Sequence, residues 1–175
     1  MIEMTVESVR INLATQQRVV ILKSTQQERY LLIWIAHPEA FAIAVELQGT
    51  TSTRPLTHDL LKNVITDLGA KITSIVISDL IDEIYYARIV LDVNGKHVEV
   101  DSRPSDAIAL AVRTKTSIYV EESVLDRAGV VLEQNEEQPG STSKTDDQAE
   151  SEEDNLDAYR DFINSLDVLD EFGND

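Results

Sequence analysis

Two short stretches set arginine, histidine and carboxylates at spacings that suit phosphate chemistry. Residues 53–61 read TRPLTHDLL, and residues 102–110 read SRPSDAIAL. Each puts Arg-Pro ahead of a helix start with an acid in its first turn. The first set is Arg54, Pro55, His58 and Asp59; the second is Arg103, Pro104, Ser105 and Asp106. A guanidinium fork holds phosphate, an imidazole trades protons near neutrality, and paired carboxylates hold a divalent metal. Asp101 precedes the second set, on a strand whose polar face Arg103 would continue. A purely structural explanation covers the same residues. Proline fixes the helix start, Ser or Thr caps it, Asp meets the helix dipole, and Arg pairs with Asp. Spacing alone leaves both explanations open.

Other ionisable groups have weaker patterns. Asp79, Asp82 and Glu83 cluster between two strands and could bind a cation, but acidic turns are usually just solvated. His37 begins a helix and His97 lies near a hairpin turn. The chain has no glycine-rich phosphate loop, paired-histidine metal motif or nucleophile elbow.

The elements that must carry these residues are legible from periodicity. Residues 4–11, 18–23 and 30–35 are β-branched or aromatic and fit a half-buried antiparallel start, with Ser8 breaking the alternation of the first. HPEAFAIAVELQG then changes period: Pro38 suits a first helical position, Glu39 the first turn and Gly49 the end. Thr57 can cap a second helix that ends at Gly69 and carries Leu60, Leu61, Val64, Ile65 and Leu68 as one apolar stripe. Strands follow at 71–78, 83–93 and 96–102, the last two joined by Asn94-Gly95, a strong two-residue hairpin signal. A helix over 105–113, a strand over 117–121 and a short helix over 122–128 complete the body. The expected fold class is α+β: a mostly antiparallel sheet with three to four helices packed on it.

Charge divides the chain. Residues 1–132 hold 13 Lys+Arg and 17 Asp+Glu, while residues 133–175 hold 2 and 15. The body has no broad basic footprint for passive binding to a nucleic-acid backbone, which leaves room for a local basic patch or for a metal bridging carboxylates to phosphate. Residues 133–154 contain one alanine and no larger apolar side chain, and are expected to be a disordered acidic linker. In residues 155–172, Leu156, Tyr159, Ile163 and Leu166 fall at helical spacing. They predict a short acidic amphipathic helix that docks on its own body or in a protein partner's groove. With no cysteine, no long apolar run and no basic, apolar start, the expected location is cytoplasmic, away from membranes.

The blocks LLIWIAHPEAFAIAVELQG, RPLTHDLLKNVITDLGAKITSIVISDL and VEVDSRPSDAIALAVR, followed by SIYVEESVLDRAG, resemble the bifunctional-nuclease domain family in order and spacing. The resemblance covers residues 2–132. It departs at Ala36, where the family often has glycine, and at Glu83-Ile84-Tyr85, where a Gly-Thr-Phe-like turn is usual. It implies an α+β domain that hydrolyses phosphodiester bonds in RNA and DNA, as its plant members do. On that reading His58, Asp59, Asp101, Arg103 and Asp106 are the catalytic candidates. Arg54, Arg103 and Ser105 would bind substrate, and magnesium or manganese is the cofactor to expect. The competing reading is a non-enzymatic oligomeric module, a dimer by base rate, whose acidic tail recruits a protein. A nuclease should bring both arginines to His58 in one cleft; a structural cap should bury each in its own pair.

Overall fold

The computed structural model describes residues 1–131 and the pair 167–168. Three antiparallel strands open the chain: β1 (Ile2–Ile11), β2 (Arg18–Ser24) and β3 (Tyr30–Ile35). Helices α1 (His37–Leu47) and α2 (Thr57–Asp67) lead to a second meander, β4 (Ala70–Ile81), β5 (Ile84–Val93) and β6 (Lys96–Ser102). Helix α3 (Pro104–Thr114), strand β7 (Ser117–Val120), helix α4 (Glu122–Ala128) and the two-residue β8 (Gly129–Val130) follow. The sheet runs β6-β5-β4-β7-β1-β2-β3-β8, and β9 (Asp167–Val168) lies beside Arg10 and Ile11 of β1. The α+β architecture is as expected. One pairing is parallel: β7 returns from α3 and lies beside β4, which joins the two meanders into one curled sheet.

Local chemistry places the turns. Asn94 and Gly95 take positive φ angles of 55° and 80°, as a tight hairpin between twisted strands requires. The register of β1 on β2 slips between Val6 and Ser8, where the alternation of the sequence breaks. Between β4 and β5, Asp82 and Glu83 make a comparable turn at φ 48° and 63° without glycine.

The core gathers under α3. Ala107 to Ala111 are essentially inaccessible, and the helix is apolar nearly all round, as a fully buried helix must be. Its alanines share one core cluster with Ala40 and Ile43 of α1. Below them lie Ile75, Ile77, Ala87 and Ile89 of the sheet. Strand β2 is covered on both faces rather than one: Val20 and Leu22 join the main core, while Val19 and Ile21 form a smaller cluster with Tyr30 and Leu32.

Several expectations need correction. Thr57 is not a cap: α2 begins after Leu56, whose backbone N–H donates to Asp59 Oδ2 at 2.8 Å, so the N3 acid satisfies the helix start. Ser105 does not cap α3 either, because Arg103 holds the N-cap position and Pro104 comes first in the helix. The apolar stripe of α2 exists but points outward. Leu60, Leu61, Val64 and Leu68 are exposed, only Ile65 packs against the core, and His58 is the helix's one buried residue. The expected linker 133–154 lies outside the described residues. So does the expected helix 155–172, except at Asp167–Val168, where the backbone is strand.

With so little apolar burial, α2 is held to α3 by polar ties. Arg113, 5% exposed, donates from Nε to Asp59 Oδ1 at 2.6 Å and from a terminal nitrogen to the Ala109 carbonyl at 2.9 Å. Lys62 donates to the Arg113 carbonyl at 3.2 Å. Removing one partner of a buried pair strands the other, although Asp59 is partly solvated. Arg113→Ala is expected to cost about 2–3 kcal/mol in urea unfolding. The exposed Leu68→Ala should stay within about 0.5 kcal/mol. Equal effects of the two would refute the tie.

Candidate active site

The second of the two sequence motifs makes a connected cluster, and the first contributes one residue to it. Arg103 leaves β6 and enters α3 in extended backbone, so its guanidinium lies across the helix start. Its Nε donates to Asp106 Oδ2 at 2.7 Å, and one terminal nitrogen donates to Asp106 Oδ1 at 3.1 Å and to Glu39 Oε1 at 2.7 Å. From the other side, His58 Nε2 lies 3.0 Å from Asp106 Oδ1. An ionised carboxylate can only accept, so the imidazole N–H is the donor. Asp106 therefore receives three hydrogen bonds.

The cluster is graded in depth. The Arg103 side chain is 64% exposed, Asp106 26% and His58 9%. A ligand arriving from solvent meets the guanidinium first, the carboxylate second and the imidazole last. Ser105 is buried, yet it lines a pocket beside Arg103.

Burial alone would raise the Asp106 pKa. The hydrogen bonds and charges of Arg103 and His58 outweigh it and hold the carboxyl below its ordinary value. The Asp106 and Glu39 carboxylates in turn make the Arg103 guanidinium hold its proton more tightly than usual. Asp59 is also lowered: burial opposes ionisation there, but the Leu56 amide and the Arg113 guanidinium prevail.

Glu39 is the member that the sequence reading passed over as a helix-dipole residue. It is 9% exposed, one oxygen is bound to Arg103, and the other is buried with no protein partner among the described residues. A buried acid in the first turn of an otherwise apolar helix was the available signal. The remaining candidates stand apart. Asp59 is engaged by Leu56 and Arg113, not by His58. Arg54 is exposed and makes no hydrogen bond or ion pair among the described residues. Asp101 is exposed on β6, opposite Arg88, which bonds Glu99 instead. The cluster thus unites one arginine with His58, and the expected cleft with both arginines does not form.

A divalent metal does not fit these donors. Among the described residues, no three His, Asp or Glu side chains gather to hold one. The cluster's two carboxylates, Asp106 and Glu39, are both turned onto Arg103, so a cation between them would meet a guanidinium.

Residues 20–133 match the sequence model of the bifunctional nuclease domain. The chain belongs to that family. The matched range of the bifunctional nuclease domain contains Glu39, His58, Arg103 and Asp106 and begins inside β2, leaving β1 ahead of it. An uncharacterized protein of Mycobacterium tuberculosis is 38% identical over 164 residues, covering 94% of each chain. That likeness is longer than the domain and reaches into the C-terminal segment. Bifunctional nuclease 2 of Oryza sativa subsp. japonica is 29% identical over 120 residues, which are 67% of this chain and 37% of the rice protein. Bifunctional nuclease of Oryza minuta is 24% identical over 129 residues, 71% of this chain and 39% of its own length. The chain therefore spans well under half of the rice relatives.

The depressed Asp106 pKa carries a signed consequence. The folded value lies below the unfolded one, so ionised Asp106 contributes stability above the unfolded value, and that contribution is lost as pH falls through the folded value. The stability gap between wild type and Asp106→Asn should be widest above about pH 5 and should narrow below about pH 4. A gap that is constant from pH 7 to pH 3 in urea titrations would contradict this assignment.

Proposed function

We propose that this chain hydrolyses phosphodiester bonds in RNA or DNA at the cluster of Arg103, Asp106 and His58. The observation that carries the reading is the exposed guanidinium of Arg103, held on two carboxylates and backed by a buried imidazole. Its fork suits a phosphodiester's two unbridged oxygens as well as it suits a carboxylate. Phosphate that engages Arg103 competes with Asp106 and Glu39. As the guanidinium turns outward, Asp106 loses the cation that suppresses its proton affinity. It then takes the proton of the attacking oxygen, of water or of an RNA 2′-hydroxyl, as that oxygen bonds phosphorus and the bond from phosphorus to the leaving oxygen breaks. The leaving alkoxide takes a proton from solvent, and the cyclic phosphate formed by 2′-hydroxyl attack is opened by water. His58 keeps the carboxylate aimed through the bond at Oδ1. Arg103 meanwhile balances the charge that builds on the phosphoryl oxygens. The proposed cleavage does not need a metal held by the protein. The names of the plant relatives and the family's description support the reaction class.

A specific observation also favours self-association. The outward stripe of α2 exposes Leu60 at 57% and Leu68 at 77%. A second copy is the simplest cover for it, which makes a dimer the proposed assembly. The C-terminal segment, with 15 acids against 2 bases, is the proposed recruiter of a protein partner. Among the described residues no helix is long and apolar enough to cross a membrane. A chain without cysteine suits the proposed cytoplasmic setting.

The test is cleavage of labelled RNA and DNA by purified protein, with variants matched for fold by circular dichroism. Arg103→Ala and Asp106→Asn are expected to lose about 100-fold or more in rate. Arg103→Lys should not restore the fork. Arg54→Ala and Asp101→Ala should stay close to wild type, and chelator should leave the rate unchanged. Cleavage that persists in the Arg103 and Asp106 variants would reject the site. Cleavage abolished by chelator would reject the metal-free route.

A further inference from the structure

Strand β1 outruns one of its neighbours. β2 covers one edge of it from Met4 to Ile11. On the other edge β7 pairs only with Ile2 to Met4, because the chain ahead of Ser117 is the end of α3. The backbone groups left on that edge lie in the middle of the sheet and need partners. Among the described residues only β9 pairs with them: Val168 lies opposite Arg10 and Asp167 opposite Ile11, antiparallel to β1. β7 is also antiparallel to β1, so β9 runs in the direction of β7 and on its line. The chain that leaves Val168 is therefore aimed at the start of β7. A hollow of about 290 Å³ opens there, lined by Val6 of β1, Leu47 of α1, and Ala111, Val112 and Lys115 at the end of α3. Leu47 is 47% exposed.

We infer that this slot is the seat of the chain's own C-terminal segment, with residues 166–169 (LDVL) added to the sheet as a strand and Leu169 at the mouth of the hollow. Added strands bind through main-chain hydrogen bonds, and the pockets beside the edge select the side chains. Three observations choose this occupant. The first is β9 itself, whose backbone is strand; a helix laid on the exposed stripe of α2, the competing seat, would not be. The second is that both strands of the pair lie outside the matched domain, β1 ahead of residues 20–133 and β9 behind them. The likeness to the mycobacterial protein runs past that range on both sides. The third is reach. Residues 132–166 connect the body to β9, and at about 3.3 Å per residue they can cross any face of it. The seat lies at the C-terminal end of α3, whereas Arg103 stands at its N-terminal end, so the added strand leaves the candidate active site open. The inference is independent of the nuclease reading. It gives the apolar part of the C-terminal segment to the body and leaves the acidic residues 133–154 for a partner.

The chain has no cysteine, so introduced pairs report alone. In the full chain, Arg10→Cys with Val168→Cys, and separately Ile11→Cys with Asp167→Cys, set two thiols directly opposite each other. Successive antiparallel pairs alternate between close and wide spacing, so one of the two suits a disulfide. Leu68→Cys with Val168→Cys samples the α2 stripe instead. Under mild oxidation at least one strand pair should close within the monomer about tenfold faster than the Leu68 pair, because a seated segment raises the local thiol concentration. Closure no faster than at Leu68 would mean that the segment is not seated on β1. Cross-linked species of twice the chain mass would give the slot to the segment of a second copy. Either result, or no cross-link in both strand pairs, would overturn the inference. A second readout needs no thiol. Proline cannot donate to a ladder, so Asp167→Pro with Val168→Pro should speed amide exchange at those positions of Val9 to Ile11 that face away from β2, and threonine at both sites should not. Unchanged exchange in the proline variant would likewise contradict the seat.

Discussion

One guanidinium joins the helices on which the site is built. Arg103 bridges Asp106 of its own helix and Glu39 of α1, and Asp106 receives His58 from α2. Three helix starts converge there, each bringing its unpaired amides and positive dipole end. Carboxylates suit that environment, and an arginine among them balances their charge. Without Arg103, Glu39 would be a buried carboxylate with neither oxygen bound to a protein donor among the described residues.

Stability and reactivity draw on the same bonds. Helix α2 turns its apolar stripe away from the body, so its place depends on polar ties: Asp59 and Lys62 to Arg113 at the back, and His58 to Asp106 at the site. The first set ends on the buried Arg113 side chain and is structural. The second lies behind an exposed cation that phosphate can compete for. This division explains why two similar Arg-Pro motifs have different fates. In the second motif the arginine and the acid pair with each other. In the first the acid pairs with Arg113 from the end of α3, and Arg54 is left in solvent.

Most of the fold was legible because its signals are local. Asn94-Gly95, Pro38, Pro104, Gly69 and the broken alternation at Ser8 each act over a few residues, and each marks a real boundary or bulge. What escaped is nonlocal. Residues 74–77 pair in parallel with 117–120 across some 40 residues of chain, which no window of sequence reveals. Periodicity shows that α2 has an apolar stripe but not which way the stripe points. Within the site, Asp106, Arg103 and His58 were legible as residue types at a helix start. Glu39 was not, because its bond to Arg103 spans 64 residues of sequence. Asp59 looked equivalent to Asp106 by spacing and Asp101 stood beside the motif on its strand, and only their actual partners separate the three.

The central claim is that phosphate draws Arg103 away from Asp106 and thereby makes the carboxylate a base. The most direct measurement is the titration of the Asp106 carboxyl carbon by NMR, in the free protein and in the complex with a phosphorothioate oligonucleotide. In the free protein the pKa should lie below the ordinary carboxylate value, and in the complex it should rise. A pKa that stays depressed in the complex would mean that Arg103 never leaves Asp106, and the cluster would then be a cap and nothing more.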